Sequence, residues 1–271
     1  KFSAIYSTLE PYDREFLLHH PDFLRLLNMR YVSHLADSLG VETPLRNVLS
    51  MTLGASEITL VELNLLYGGI LNGEQHIVEG LGRPAVIHRI VDDSGKIIYE
   101  LTPKKVESVD PIVGHQVANI LYNVVQNGTG RRAKAKIQIN GQDVPALGKT
   151  GTTNKNTDTW FIGFTSDLVV GVYIGYDEPK TLGKFETGAK TAMPIFKSFM
   201  KKAVKKENTR PFKIPEKITL MVVDSQTGKK VSFGSKKTLI ESFKTEKIEK
   251  NFDVNLKNNN RFNNNNILKF Y

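Results

Sequence analysis

The order of apolar and polar positions along this chain predicts both helices and strands, interleaved. Between residues 1 and 30 the aromatic residues, Pro11, Pro21 and His19-His20 follow no clear period, and a helix is expected only from about Asp22 to Leu39. Thr59-Leu-Val-Glu62 has the spacing of a capping box, in which the Thr hydroxyl and the Glu carboxylate each satisfy an amide left open at a helix start. The helix it opens carries Leu60, Leu63, Leu66, Tyr67, Ile70 and Leu71 and stops at Asn72-Gly73. Apolar residues on so much of its circumference predict that it is buried. Residues 85–101 place two β-rich runs on either side of Asp92-Asp-Ser-Gly95, which is hairpin chemistry. Asp110 and Pro111 are a cap and a first helical position. Val113, Val117, Ile120, Leu121 and Val124 then recur at helical spacing up to Gln126, and Asn127-Gly128 ends the helix.

The most informative stretch runs from Val144 to Tyr176. A short strand leads into Gly148-Lys-Thr-Gly151, a polar loop follows, and Trp160–Thr165 and Leu168–Tyr176 form two strands around Ser166-Asp167. Together they predict a three-stranded antiparallel unit. Thr191–Lys206 reads as an amphipathic helix, with Ile195, Phe196, Phe199 and Met200 on one face and Lys201, Lys202, Lys205 and Lys206 beyond them. A strand is expected over Lys217–Asp224, ending at Gln226-Thr-Gly228, and Leu239–Phe243 adds one more short element. From Lys244 onward the chain is rich in Lys and Asn, with nine Asn between Asn251 and Asn266. So little apolar surface cannot offset the entropy of ordering, and residues 244–271 are read as a disordered tail.

Composition narrows the picture. A chain of 271 residues with 40% hydrophobic positions holds material for one large domain or two small ones. Its longest strongly apolar run, Leu168–Tyr176, is nine residues and includes two glycines. A membrane-spanning helix needs about 20. With no cysteine, disulfides, thiolate metal sites and cysteine nucleophiles are excluded. The six histidines show no i, i+4 pair, so no metal site is called, and no cofactor is expected. The formal charge of +9 raises the question of a nucleic-acid partner. Residues 1–200 hold 20 Lys and Arg against 21 Asp and Glu, whereas residues 201–271 hold 17 against 7. The excess therefore belongs to the C-terminal helix and tail, and no nucleic-acid partner is called. The first residue is Lys1, with no initiator Met and no signal peptide after it, so the chain is expected to be part of something longer.

Gly148-Lys149-Thr150 has the ending of a phosphate-binding P-loop, and that reading fails on its own terms. The first glycine of the pattern would fall on Asp143, a carboxylate where a phosphate must approach, and the segment leads into a hairpin instead of a helix. The alternative is Lys149-Thr150-Gly151 as a K-T-G box on a strand beside a cleft. There an ammonium and a hydroxyl meet a substrate carboxylate, a residue without a side chain lets a peptide lie close, and the amide of Thr152 can face a developing oxyanion.

The surroundings make the match specific. GKTGTTNKNTDTWFIGFTSDLVVGVYIGYDEP resembles the K-T-G strand and following hairpin of bifunctional class A penicillin-binding proteins. Asn127-Gly-Thr-Gly130-Arg-Arg-Ala resembles that family's G-T-G segment, and Leu53-Gly-Ala-Ser-Glu-Ile-Thr59 with Glu62 resembles its L-G-x-S-E-V-T helix start. Glu186-Thr-Gly-Ala189 and Ala192-Met-Pro-Ile-Phe196 resemble its E-T-G-G…A-x-P-I-F segment, with Ala189 where the family usually has a second glycine. The resemblance covers residues 28–243, read as the C-terminal part of a transpeptidase domain, and leaves residues 1–27 unassigned.

It implies an α+β transpeptidase fold, an antiparallel sheet flanked by helices, here incomplete. It also implies serine-type D,D-transpeptidase chemistry, with peptidoglycan stem peptides and β-lactams as partners. The parent protein would be membrane-anchored, with this domain on the periplasmic side of the inner membrane. By the same resemblance Lys149, Thr150, Gly151 and Thr152 are the substrate-binding residues, with the Thr152 amide as oxyanion donor.

The family's nucleophile and relay, the S-x-x-K and S-x-N motifs that precede K-T-G, are absent. No Ser here has Asn two positions later, and the only Ser with Lys three positions later is Ser198, which follows K-T-G and is rejected as nucleophile. The chain is therefore expected to be inactive alone, either as part of an interrupted enzyme or as a non-catalytic remnant or interaction module. Its sheet is expected to lack the N-terminal strands, leaving an open edge and marginal stability.

Overall fold

The computed structural model describes residues 14–72, 74–77, 87–102, 104–107, 109–131, 138–139, 142–143, 146–204, 212–232 and 235–246. The helices are α1 (Arg14–His19), α2 (Pro21–Ser38), α3 (Leu60–Asn72), α4 (Pro111–Asn127) and α5 (Ala192–Ala203). The strands are β1 (Glu74–Ile77), β2 (Arg89–Val91), β3 (Ile97–Glu100), β4 (Lys104–Glu107), β5 (Gln138–Ile139), β6 (Gln142–Asp143), β7 (Leu147–Thr152), β8 (Thr159–Phe164), β9 (Val169–Ile174), β10 (Ile218–Asp224) and β11 (Thr238–Lys244).

The centre is the antiparallel sheet β7-β8-β9, in register from Leu147↔Phe164 to Thr152↔Thr159 and from Thr159↔Ile174 to Phe164↔Val169. Side chains alternate across it, so successive residues feed two different cores. On one side Leu147 and Phe164 pack against Ala118, Leu121 and Tyr122 of α4, with Tyr67 and Leu71 of α3 beside them. On the other, Phe161 packs against Met193, Phe196 and Met200 of α5. Phe161 and Phe196 stack with ring centroids 4.8 Å apart. Each of these fully buried rings contributes on the order of 2 kcal/mol. Helices thus flank an antiparallel sheet, as expected.

Both helix starts use the expected devices. Asp110 caps α4 by accepting from the Ile112 amide at 2.8 Å, with Pro111 in the first turn. At α3 the Thr59 hydroxyl accepts from the Glu62 amide at 3.2 Å, while the Glu62 carboxylate accepts from the Thr59 amide at 2.9 Å. The burial expected of α3 is corrected: Leu60, Leu63, Leu66, Tyr67, Ile70 and Leu71 are only partly buried. Val61 is 60% exposed. Helix α3 packs on α4 and β9 and runs on into β1, and these neighbours leave part of its apolar circumference uncovered.

The expected helix at Asp22–Leu39 is α2, and helical structure reaches back to Arg14 within the unassigned segment. Ala36 is the one buried residue of α2, and Leu27 and Tyr31 lie open. The Asp92 turn joins β2 to β3, with the Asp92 carboxylate accepting from the amides of Ser94 and Lys96. The C-terminal elements form one hairpin, β10–β11, paired from Ile218↔Lys244 to Asp224↔Thr238. Strand β11 extends through Lys244, the first residue read as tail, and residues 247–271 lie outside the described residues.

Candidate active site

Among the described residues, strand β7, which carries the K-T-G box, lies at an edge of the sheet. Thr153 donates its amide to the Asp158 carbonyl at 3.1 Å, which makes that pair a hydrogen-bonded one in the β7–β8 register. Antiparallel pairs alternate, so the amides of Thr152 and Thr150 point away from β8, toward the open side of the edge strand. Lys149 lies exposed on the same side of the strand as buried Leu147, and its Nζ donates to the Thr150 carbonyl at 2.8 Å. The Thr150 hydroxyl lies 3.2 Å from the Thr129 hydroxyl in the turn after α4. The segment is strand throughout, which removes the P-loop alternative.

Gly151 sits opposite Trp160, which in turn sits opposite Tyr173, so one row crosses all three strands. A β-carbon on Gly151 would lie 3.0 Å from Trp160 Cβ. Glycine here leaves the backbone approachable and the Trp160 ring undisturbed against Tyr173, at 4.6 Å between centroids. Trp160 is thus a packing residue. Tyr173 donates its hydroxyl to Asp158 Oδ1 at 2.8 Å, and that hydrogen bond raises the phenol's pKa above its ordinary value.

Asp158 shapes the loop after K-T-G. Its amide donates to Thr153 Oγ1 at 2.8 Å, and Oδ2 accepts from Thr153 and Thr157 at 3.2 Å each. The loop turns through Lys155 and Asn156, both in the left-handed region. Asn156 then ties it to the following segment, accepting from the Leu182 amide at 2.8 Å and donating to the Gly183 carbonyl at 3.2 Å.

That segment brings Glu186-Thr-Gly-Ala189 onto the K-T-G strand. The Gly188 amide donates to Thr152 Oγ1 at 3.2 Å, and a β-carbon on Gly188 would fall 2.2 Å from the Trp160 carbonyl oxygen and 2.6 Å from that of Gly151. Only glycine fits this approach. Thr191 closes the contact, its hydroxyl 2.7 Å from that of Thr159.

Lys149, Thr150, Gly151 and Thr152, the substrate-binding residues expected from the sequence, lie together on the strand, with hydroxyl, ammonium and outward amides at one edge. Thr129 and Gly188 carried no expected role. Both lie in segments singled out only for their resemblance, Asn127-Gly-Thr-Gly130 and Glu186-Thr-Gly-Ala189, whose glycines were the available signal. Ser198 is exposed on α5, beside Lys197 and Lys201 in a groove also lined by Lys190 and Met193. Helix α5 packs on β8 and β9, not at the β7 edge. Among the described residues no group of three or more metal-ligating side chains is assembled.

The architecture is that of an α+β transpeptidase domain, and the comparisons agree. Residues 40–201 match the family model of the penicillin-binding protein transpeptidase domain. The chain belongs to this family and corresponds to part of a class A penicillin-binding protein's transpeptidase domain. It is 37% identical to penicillin-binding protein 1A of Rickettsia typhi over 233 residues, which is 78% of this chain and 28% of the relative. It is 34% identical to penicillin-binding protein 1A of Neisseria meningitidis over 173 residues, 62% of this chain and 20% of the relative. The chain thus spans little more than a quarter of the first of these relatives. The crystal structure of penicillin-binding protein 1A from Haemophilus influenzae superposes with a TM-score of 0.66 at 23% identity, over 79% of this chain and 36% of that one, a likeness of fold. No described helix is long and apolar enough to cross a membrane.

Proposed function

We propose that this chain supplies one wall of a peptidoglycan D,D-transpeptidase site, the wall that binds the carboxylate end of a stem peptide or a β-lactam. The observation that carries the reading is the edge strand itself. Lys149 and Thr150 offer a cation and a hydroxyl, Gly151 leaves the backbone open to an extended peptide, and the Thr152 amide faces outward. A peptide laid along this edge gains main-chain hydrogen bonds by strand addition while its carboxylate meets the ammonium. The Thr152 amide suits an oxyanion only where a nucleophile attacks nearby.

In this reading the chain by itself binds without reacting. Acyl transfer requires a nucleophile and a base together with oxyanion donors, and the sequence has no S-x-N motif and no S-x-x-K before K-T-G. Family membership favours cross-linking chemistry at the periplasmic side of the inner membrane for a parent protein that carries the other wall. A non-catalytic remnant of the same fold is the second reading, favoured by the same missing motifs.

The test is non-covalent binding of an N-acylated peptide ending in D-Ala-D-Ala, compared with its C-terminal amide. Trp160, the only tryptophan and the cross-strand neighbour of Gly151, reports binding by its fluorescence. The carboxylate peptide is expected to bind more tightly, and Lys149→Ala to erase the difference. Equal affinities for acid and amide would remove the reading.

A further inference from the structure

Thr129 stands next to the K-T-G box without belonging to it. It follows α4, flanked by Gly128 and Gly130, whose amides both donate to the Val124 carbonyl, at 3.0 and 3.1 Å. The Arg131 amide closes the turn on the Gly128 carbonyl at 3.1 Å. A β-carbon at Gly128 would lie 2.9 Å from Val124 O, and one at Gly130 would lie 3.2 Å from that same oxygen. The turn is wound tightly onto the end of its helix, so its threonine is placed by main-chain bonds.

Helix α4 is itself held from two directions. Leu121 and Tyr122 are buried in the cluster that contains Leu147 of β7. On the β11 side, Gln116, Asn119 and Asn123 donate to carbonyls of Ser242 and Ile240 at 3.0 to 3.2 Å. The turn is thereby anchored at the end of α4, and the Thr129 hydroxyl stands 3.2 Å from the Thr150 hydroxyl.

We propose that Thr129 is a positioning residue for Thr150, setting the direction of its hydroxyl proton for a substrate carboxylate. This rests on the reading of β7 as a carboxylate-binding edge and adds a residue from another element to it. A threonine hydroxyl has one proton and two acceptor sites. Without ligand, Thr150 donates to Thr129. When a carboxylate arrives beside Lys149, the pair reverses: Thr129 donates to Thr150 Oγ1, and the Thr150 proton is given to the carboxylate oxygen. Hydrogen bonds in such a chain polarise one another, so the second hydroxyl strengthens the bond made by the first. No covalent step is involved.

The acid-against-amide binding measurement on Trp160 tests this with Thr129→Val, which keeps the shape and removes the hydroxyl, and Thr129→Ser, which restores it. Thr129→Val is expected to weaken binding of the acid by about fivefold, the scale of one hydrogen bond, and to leave the amide unchanged. Thr129→Ser is expected to match the unsubstituted chain. If the unsubstituted chain prefers the acid and Thr129→Val prefers it equally, the positioning role is overturned while the carboxylate-binding reading stands. The role is also overturned if Thr129→Ser fails like Thr129→Val, because the hydroxyl is then not what matters. If the unsubstituted chain shows no preference, the underlying reading fails and takes this one with it.

Discussion

At the scale of single residues, Glu62 does more than the capping box asks of it. Its Oε1 accepts from the amides of Glu42 and Thr43 at 2.8 and 2.7 Å, and its Oε2 accepts from the hydroxyls of Thr43 and Thr59 at 2.9 and 2.7 Å. Burial pushes the carboxyl pKa up, but the amides and hydroxyls of Thr59 and Thr43 push it down further, from 4.5 to about 2. A depressed carboxyl stabilises the fold above its unfolded value and loses that contribution as pH falls from 4.5 through about 2. Glu62→Gln is expected to cost about 2 kcal/mol at neutral pH and to flatten the acid limb of the unfolding curve, measured by denaturant titration at several pH values. Gly188→Ala drives a methyl into two carbonyl oxygens and is expected to cost about 2 kcal/mol. It should also shift Trp160 emission, because the clash lies on the Gly151–Trp160 pair. Spacing revealed the Thr59–Glu62 pair because the partners are three residues apart. The bonds to residues 42 and 43, and the seat of Gly188 on β7, join positions 19 to 36 apart that no local pattern connects.

At the scale of elements, the clasp between α4 and β11 decides how the C-terminal hairpin is attached. Asn119, 1% exposed, donates to Glu241 Oε2 at 2.8 Å, Asn123 donates to Oε1 at 3.2 Å, and the Ser242 hydroxyl meets His115 Nδ1 at 3.1 Å. Burial raises the pKa of Glu241 despite the hydrogen bonds that lower it, and burial lowers that of His115. A raised carboxyl favours folding fully below the unfolded value of 4.5 and loses that contribution as pH rises through its folded value. Glu241 and Glu62 therefore oppose each other in acid. Asn119→Ala removes one of the two side-chain donors to the Ile240 carbonyl and the partner of one Glu241 oxygen, and is expected to cost about 1–3 kcal/mol. Hydrogen exchange should show β10–β11 opening before the β7-β8-β9 sheet. The elements themselves were legible: the Asp110-Pro111 start of α4, the Asp92 turn and the three strands around K-T-G all fall where turn chemistry and periodicity put them. The clasp was not, because Gln116, Asn119 and Asn123 read as the polar face of an amphipathic helix. The extra coverage expected of α3 failed for the related reason that composition counts apolar residues without saying what lies over them.

At the scale of the whole molecule, the sheet is three strands wide among the described residues, and none of them pairs with the outer edge of β9. Ile195 and Phe199 on α5 are about half exposed, and Val61 and Ile120 more so. Folding free energies are small differences between large terms, and apolar surface left in water removes part of the favourable side. The isolated chain is expected to melt broadly at a low temperature, and scanning calorimetry showing a sharp two-state transition at high temperature would count against that. The overall charge also reads differently by region, because the K-T-G strand lies in the near-neutral first 200 residues and the positive excess lies after them. We propose that this chain holds the binding wall of a transpeptidase site without the nucleophile. The most direct measurement is incubation of the purified chain with a fluorescent penicillin, followed by a denaturing gel. No covalent band is expected, since neither Ser198 nor any other serine stands in an S-x-x-K before K-T-G. A fluorescent band stoichiometric with protein would contradict the account.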